Sequence, residues 1–151
     1  IRALESGQLG SYVTDFADLD LIKRAKQVGD VIILPHIGAS TRQAEENCSV
    51  MAADQIKDFL ENGNIKNSVN FPELIEERQS DFRLTLSNRN VAGMIGQITT
   101  ILAENNINIV ELINKSRDEI AYNVIDLETK PSEKVIADLE ALENVINVRE
   151  V

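Results

Sequence analysis

The sequence predicts two folded parts of different class: a parallel α/β segment and, after a polar join, an α+β domain of order β-α-β-β-α-β. Three observations carry this. Residues 31–34 (VIIL) are a short continuous apolar run between Gly29-Asp30 and Pro35, the pattern of a parallel strand buried on both faces. Residues 67–80 are polar, contain Pro72 and show neither strand nor helix period, which marks a linker. From residue 81 onward, two-residue and 3.6-residue periods alternate in an order that makes a self-contained sheet with helices.

In the first part, a helix runs to the breakers Gly7 and Gly10, residues 11–16 (SYVTDF) are a strand, and residues 19–28 are helical. The strand at 31–34 follows. Ser40 with Gln43 three residues on is a capping-box pattern, so a helix should start near Thr41. Ala44, Cys48, Met51, Ala52, Ile56 and Phe59 form its apolar stripe, and Gly63 closes it. On that stripe Cys48 is expected in the core. Two strands are too few for an independent sheet, so this part reads as incomplete.

In the second part, Phe82, Leu84 and Leu86 alternate with Arg83 and Thr85, the pattern of a half-buried strand. Val91, Met94, Ile95, Ile98, Ile101 and Leu102 make a helical stripe, with Asn90 as its candidate N-cap and Asn105-Asn106 as its stop. Strands are predicted at 107–114 and 120–128, turning at Asp118-Glu119. Pro131 fits the first turn of a second helix, which buries Val135, Ile136, Leu139 and Leu142. Residues 145–151 are a last strand. The order is ferredoxin-like, with both helices on one face of a four-stranded antiparallel sheet. A domain this small leaves a sheet edge open, which predicts pairing with a second copy.

Composition narrows the function. With 15 Lys plus Arg against 25 Asp plus Glu, the net charge is −10, which argues against a nucleic-acid partner or a polybasic membrane anchor. No apolar run is long enough to span a bilayer, and residues 1–10 do not read as a signal peptide. Cys48 is the only cysteine, which precludes an internal disulfide and a thiolate-rich metal site and fits a reducing cytoplasm. No G-x-G-x-x-G, Walker A, H-E-x-x-H or C-x-x-C motif occurs.

Two places could carry chemistry. His36, the only histidine, lies just past the carboxyl end of a strand, where open α/β sheets hold their ligands. It is either a proton donor and acceptor near neutral pH or a packed loop residue. Asp15 ends the other strand and can accept hydrogen bonds from an amide, or simply face water. Asn88-Arg89-Asn90 precedes a predicted helix start. Free N–H groups there suit a carboxylate and asparagine oxygens suit an ammonium, together the two ends of an amino acid; the alternative is capping alone.

Residues 34–41 (LPHIGAST) resemble the catalytic-histidine segment of the D-2-hydroxyacid dehydrogenase family, and residues 3–10 (ALESGQLG) are similar to the helix before that family's last nucleotide-domain strands. A-E-E-N-C, the long helix and residues 62–72 (NGNIKNSVNFP) resemble the D-3-phosphoglycerate dehydrogenase branch. N-V-A-G-M-I-G-Q-I and N-N-I-N-I resemble that branch's ACT regulatory domain. The resemblance covers essentially the whole chain. It implies the C-terminal piece of a Rossmann-type nucleotide-binding domain followed by a ferredoxin-like βαββαβ ACT domain: a partial NAD-binding and catalytic segment at 1–66, a linker at 67–80 and the ACT domain at 81–151.

By this resemblance the parent enzyme oxidises 3-phospho-D-glycerate to 3-phosphooxypyruvate with NAD, the first step of L-serine biosynthesis. His36 matches the family's catalytic acid/base. Ile37, Gly38 and Ala39 match a loop bordering the nicotinamide, beside His36, and Asp15 matches the aspartate that holds the nicotinamide amide. The glutamate that pairs with the histidine has no clear match: Leu19 falls nearest, between Asp18 and Asp20. The substrate arginine and glycine-rich loop would precede Ile1, so the chain alone is expected to be inactive and reads as a piece of a longer protein. The ACT resemblance implies L-serine bound between two copies as a feedback effector. Asn90 and Asn108 match the ligand asparagines, while Asn88 replaces a histidine and Ala92 a proline. The expected state is a cytoplasmic homodimer or higher homo-oligomer. Two other readings are an ACT domain that only assembles subunits and a dehydrogenase of another 2-hydroxy acid.

Overall fold

The computed structural model describes residues 1–151 in two units, Ile1–Ser49 and Val50–Val151. The sequence predicts the division at a linker over residues 67–80. It falls earlier because the second half of the long helix and the residues behind it pack with the sheet that follows.

The first unit contains α1 (Arg2–Glu5), β1 (Tyr12–Thr14), α2 (Leu19–Gln27), β2 (Val31–Ile33) and the start of α3 (Arg42–Asn62). β1 and β2 pair in parallel, Tyr12 opposite Val31 and Thr14 opposite Ile33. Asp18 caps α2, its carboxylate accepting from the Leu21 N–H at 2.8 Å. Arg24 ties the unit together: Nε and Nη2 donate to Asp30 at 3.1 and 2.7 Å, and Nη1 reaches Glu5 at 3.5 Å. The hydrogen bond from Arg24 holds the Asp30 carboxyl below its ordinary range against the opposing effect of desolvation.

Only Leu4 and Val31 are buried in this unit. Burial of β2 on both faces is therefore not what the structure has: Ile32 and Ile33 are exposed, because a two-stranded sheet offers no second layer to cover them. Cys48 is also exposed rather than core, and no residue of α3 is fully buried. The helix cap falls one residue later than expected. Thr41 Oγ1, not Ser40, accepts from the Ala44 N–H at 3.1 Å.

The second unit holds the rest of α3 and then β3 (Phe82–Arg89), α4 (Met94–Glu104), β4 (Ile109–Arg117), β5 (Ile120–Leu127), α5 (Glu133–Glu140) and β6 (Val145–Glu150). The sheet order is β4-β5-β3-β6, all antiparallel, which is the ferredoxin-like order the sequence predicts. α4 and α5 cover one face. Leu84, Leu86, Ile98, Leu102, Ile125 and Leu139 are at most 1% exposed at the centre of that core. Asn106, at φ 56°, turns the chain out of α4, and Ser132 caps α5 by accepting from the Val135 N–H at 3.4 Å. Pro131 therefore stands just outside the helix rather than in its first turn.

The other face is covered too, which the alternation in β3 did not foretell. Arg83, Thr85 and Ser87 are buried beneath residues 62–80, so this stretch is a packed strap rather than a free linker. Ile65 pairs with Leu74 as a β-bridge, and both join Tyr122 and Val124 in a second apolar cluster with Phe71 and Ile113. The Tyr122 hydroxyl donates to the Gly63 carbonyl at 2.7 Å. Arg83 donates to Asp126 at 2.6 and 2.8 Å and to the carbonyls of Asn62, Glu76 and Glu77 at 3.0–3.1 Å.

α3 has no basic residue in its last turn; the Phe59 carbonyl accepts from the Gly63 N–H at 3.0 Å, and arginines from outside reach this and the remaining terminal carbonyls. Arg149 donates to Phe59 and Leu60, Arg78 to Glu61 at 3.0 Å and Arg83 to Asn62 at 3.0 Å. Cations at a helix C-terminus are favourably placed against its dipole.

Candidate functional sites

In the first unit, the parallel pairing sets the carboxyl ends of β1 and β2 side by side, with Leu34 N–H donating to Thr14 O at 2.9 Å. Asp15 and His36 emerge there. His36 Nδ1 lies 3.5 Å from Asp15 Oδ2, with both side chains at least half exposed, and the Phe16 ring meets the imidazole edge-on at 5.9 Å. The carboxylate faces Nδ1 of the imidazole. Strand geometry thus supplies a carboxylate partner that spacing alone did not: Asp15 stands next to the histidine. Asp18 is committed to capping α2 and Asp20 lies 3.7 Å from Lys23. The readable signal was topological: Asp15 directly follows β1 and His36 lies three residues past β2, on the same end of a parallel pair.

Toward NAD, the structure offers the Asp15 carboxylate, a group able to accept from an amide, beside His36 past the ends of β1 and β2, and no glycine-rich strand-to-helix turn occurs in the sequence to take a pyrophosphate.

In the second unit, the expected effector asparagines divide. β3 and β4 both pair antiparallel with β5, so they run parallel to one another. Asn90 follows the end of β3 and Asn108 precedes the start of β4, which puts them at opposite ends of the sheet. Eight strand residues at about 3.3 Å each separate those ends by roughly 25 Å. Asn90 is exposed and latched to the β4–β5 turn, its N–H donating to Glu119 O at 2.8 Å and its Nδ2 to Asp118 O at 3.1 Å. It does not cap α4. The N-cap is Gly93, at φ 89°, with no side-chain hydrogen bond, so the first-turn N–H groups of α4 have no side-chain acceptor from the cap. Asn108 is exposed, with its carbonyl accepting from Glu128 N–H at 3.0 Å.

Asn88 is buried. Its Oδ1 accepts from Asn123 Nδ2 at 2.8 Å and its Nδ2 donates to Arg89 O at 2.6 Å. Asn114 Nδ2 in turn donates to Asn123 Oδ1 at 2.7 Å. The result is a row of three amides across β3, β5 and β4. Sequence reasoning missed Asn114 and Asn123, although each shares strand parity with a core residue, Leu112 and Ile125, and a polar residue on a buried face needs partners.

The ACT domain family model matches residues 82–144. D-3-phosphoglycerate dehydrogenase of Haemophilus influenzae is 29% identical over 98% of the chain, and that of Dictyostelium discoideum 31% identical over 98%. The Escherichia coli K12 protein of the same name is 30% identical over 80% of the chain. The chain spans 38% of the length of the first two relatives and 30% of the third.

Proposed function

From the premise that this chain contains an ACT domain and is related along nearly its whole length to D-3-phosphoglycerate dehydrogenases, we propose that it is the regulatory region of such an enzyme. In this reading two copies join through their ACT domains and bind L-serine between them. The observation that supports it is the placement of Asn90 and Asn108. One copy holds them at opposite ends of its sheet, so a ligand touched by both must lie between two copies in opposite orientation. The open first turn of α4 adds N–H donors for the carboxylate at the Asn90 end.

The same reading gives the Asp15–His36 pair a part in the parent enzyme. NAD, when bound, supplies the hydride acceptor. His36 takes the proton of the substrate hydroxyl at Nε2, with the Asp15 carboxylate beside Nδ1 orienting the ring. Asp15, Ile37, Gly38 and Ala39 border the nicotinamide, and the substrate is 3-phospho-D-glycerate. The chain alone lacks the pyrophosphate loop and is inactive, and the protein works in the cytoplasm.

The test is calorimetric titration of the chain with L-serine, with glycine and L-alanine as controls, beside a measurement of molecular mass in solution. Selective uptake of serine by a dimer, lost in Asn90→Ala and in Asn108→Ala, supports the proposal. A folded dimer that takes up no amino acid overturns the effector reading and leaves assembly alone. One observation favours that second reading: the buried Asn88 amide is already committed within the sheet, accepting from Asn123 Nδ2 and donating to Arg89 O.

A further inference from the structure

A cavity of ≈ 550 Å³ lies on the sheet face away from α4 and α5, within the second unit. Its floor is a block of two cross-strand pairs, Thr85 with Arg149 and Ser87 with Asn147. Its roof is one side of α3, Ala52, Gln55, Ile56 and Phe59, at the 3-and-4 spacing of a single helical stripe. Ile65, Phe71 and Ile146 complete apolar walls. The volume is in the range of small-molecule sites, roughly 300–1,000 Å³.

The charge of the lining is the informative feature. The chain carries 25 acidic side chains, yet none lines the cavity, while Lys66 and Arg149 do. Neither of the two is in an ion pair. The Arg149 guanidinium is held in place, 4.3 Å over the Phe59 ring and donating through Nη2 to the Phe59 and Leu60 carbonyls. Its Nε and Nη1 make no hydrogen bond in the chain. A guanidinium fixed by one nitrogen with others open is preorganised to bind a carboxylate. The Asn147 amide and the Ser87 hydroxyl stand beside it on the floor.

We propose that this cavity binds a small amphipathic carboxylate, an organic acid whose apolar body lies under α3 and whose head group meets Arg149 and Lys66. The walls are largely apolar, which an inorganic anion leaves unused. The two unpaired cations are what a neutral hydrocarbon leaves unused. Such a ligand bridges α3 and the sheet, so its binding stiffens the attachment of that helix.

The test is calorimetric titration of the chain with octanoate, against 1-octanol and inorganic phosphate, with isoleucine methyl NMR to locate the site. Octanoate is expected to bind at least about tenfold more tightly than octanol, the value of one charge-assisted contact, and to shift the methyl signals of Ile65 and Ile146. Ile56 is exposed, so Ile56→Glu places a carboxylate in the roof without touching the core. It should abolish binding at unchanged melting temperature, and Lys66→Gln should weaken it. Equal binding of octanol, competition by phosphate as effective as octanoate, or unaltered binding to Ile56→Glu would each overturn the proposal.

Discussion

Arg83 and Asp126 are buried, side by side on neighbouring strands. Burial works to raise the Asp126 carboxyl, and the hydrogen bonds from Arg83 and the Gln79 N–H, with the Arg83 charge, outweigh it, leaving the group below its ordinary range. The carboxylate thus stabilises the fold above the unfolded pKa of about 3.9. That contribution is lost as pH falls through the lower folded value. Urea melts across pH 2–7 should show a steep loss of stability below about pH 4 that is shallower in Asp126→Asn. Asp126→Ala, which strands the guanidinium among backbone carbonyls, should cost about 3–5 kcal/mol.

Gly63 gives a second prediction at the residue scale. It sits at φ 73°, and a Cβ there would stand 2.2 Å from Thr85 Cγ2. Gly63→Ala therefore meets both a left-handed backbone, about 1–2 kcal/mol, and a clash. Thermal melts of Gly63→Ala, Thr85→Ser and the double variant should reveal positive coupling: with the methyl gone, only the backbone cost of the alanine remains. Strict additivity would mean that the strap shifts away from β3.

Between elements, the two sheets differ in how they are covered. β3 and β5 lie at the centre of four strands with cover on both faces, whereas β1 and β2 are three-residue strands with exposed side chains. Protection against hydrogen exchange follows burial and cooperativity. Exchange at β1 and β2 amides should be faster than at β3 and β5 by several orders of magnitude, read by mass spectrometry on peptides. Comparable protection in the two sheets would show that the first unit has a stability the contacts here do not supply. α4 supplies a contrast with Gly63: Gly93 is also left-handed, but a Cβ there meets nothing nearer than Gln97 Nε2 at 3.9 Å. Gly93→Ala should therefore cost only the backbone term, about 1–2 kcal/mol.

At the scale of the whole molecule, a site shared by two antiparallel copies has a distinctive arithmetic. In the proposed arrangement each site takes Asn90 from one copy and Asn108 from the other. A heterodimer of Asn90→Ala with Asn108→Ala therefore has one site lacking both asparagines and one intact. Mixing the two inactive variants, with exchange of subunits, should restore serine binding to one site per heterodimer. No restoration in a mixture shown to exchange would exclude the shared site.

The sequence by itself determined the β-α-β-β-α-β order, the antiparallel sheet and the helix stripes of the second unit. Those depend on local period: Ile98, Leu102, Val135 and Leu139 had to face one core whatever else the chain did. It also placed His36 and Asp15 at strand ends. Tertiary structure alone decided how the second face of the sheet is covered. Arg83 and Thr85 read as solvent-facing because a two-residue period reports only which face a side chain takes, not what lies over it. Residues 67–80 read as linker because a strap held by arginine-to-carbonyl hydrogen bonds carries no period. Asn90 looked like a cap, but Gly93 can adopt a conformation that lets α4 begin three residues later. The cavity under α3 was hidden for the same reason: an apolar stripe predicts burial, and only three dimensions distinguish a packed face from one that roofs an open space.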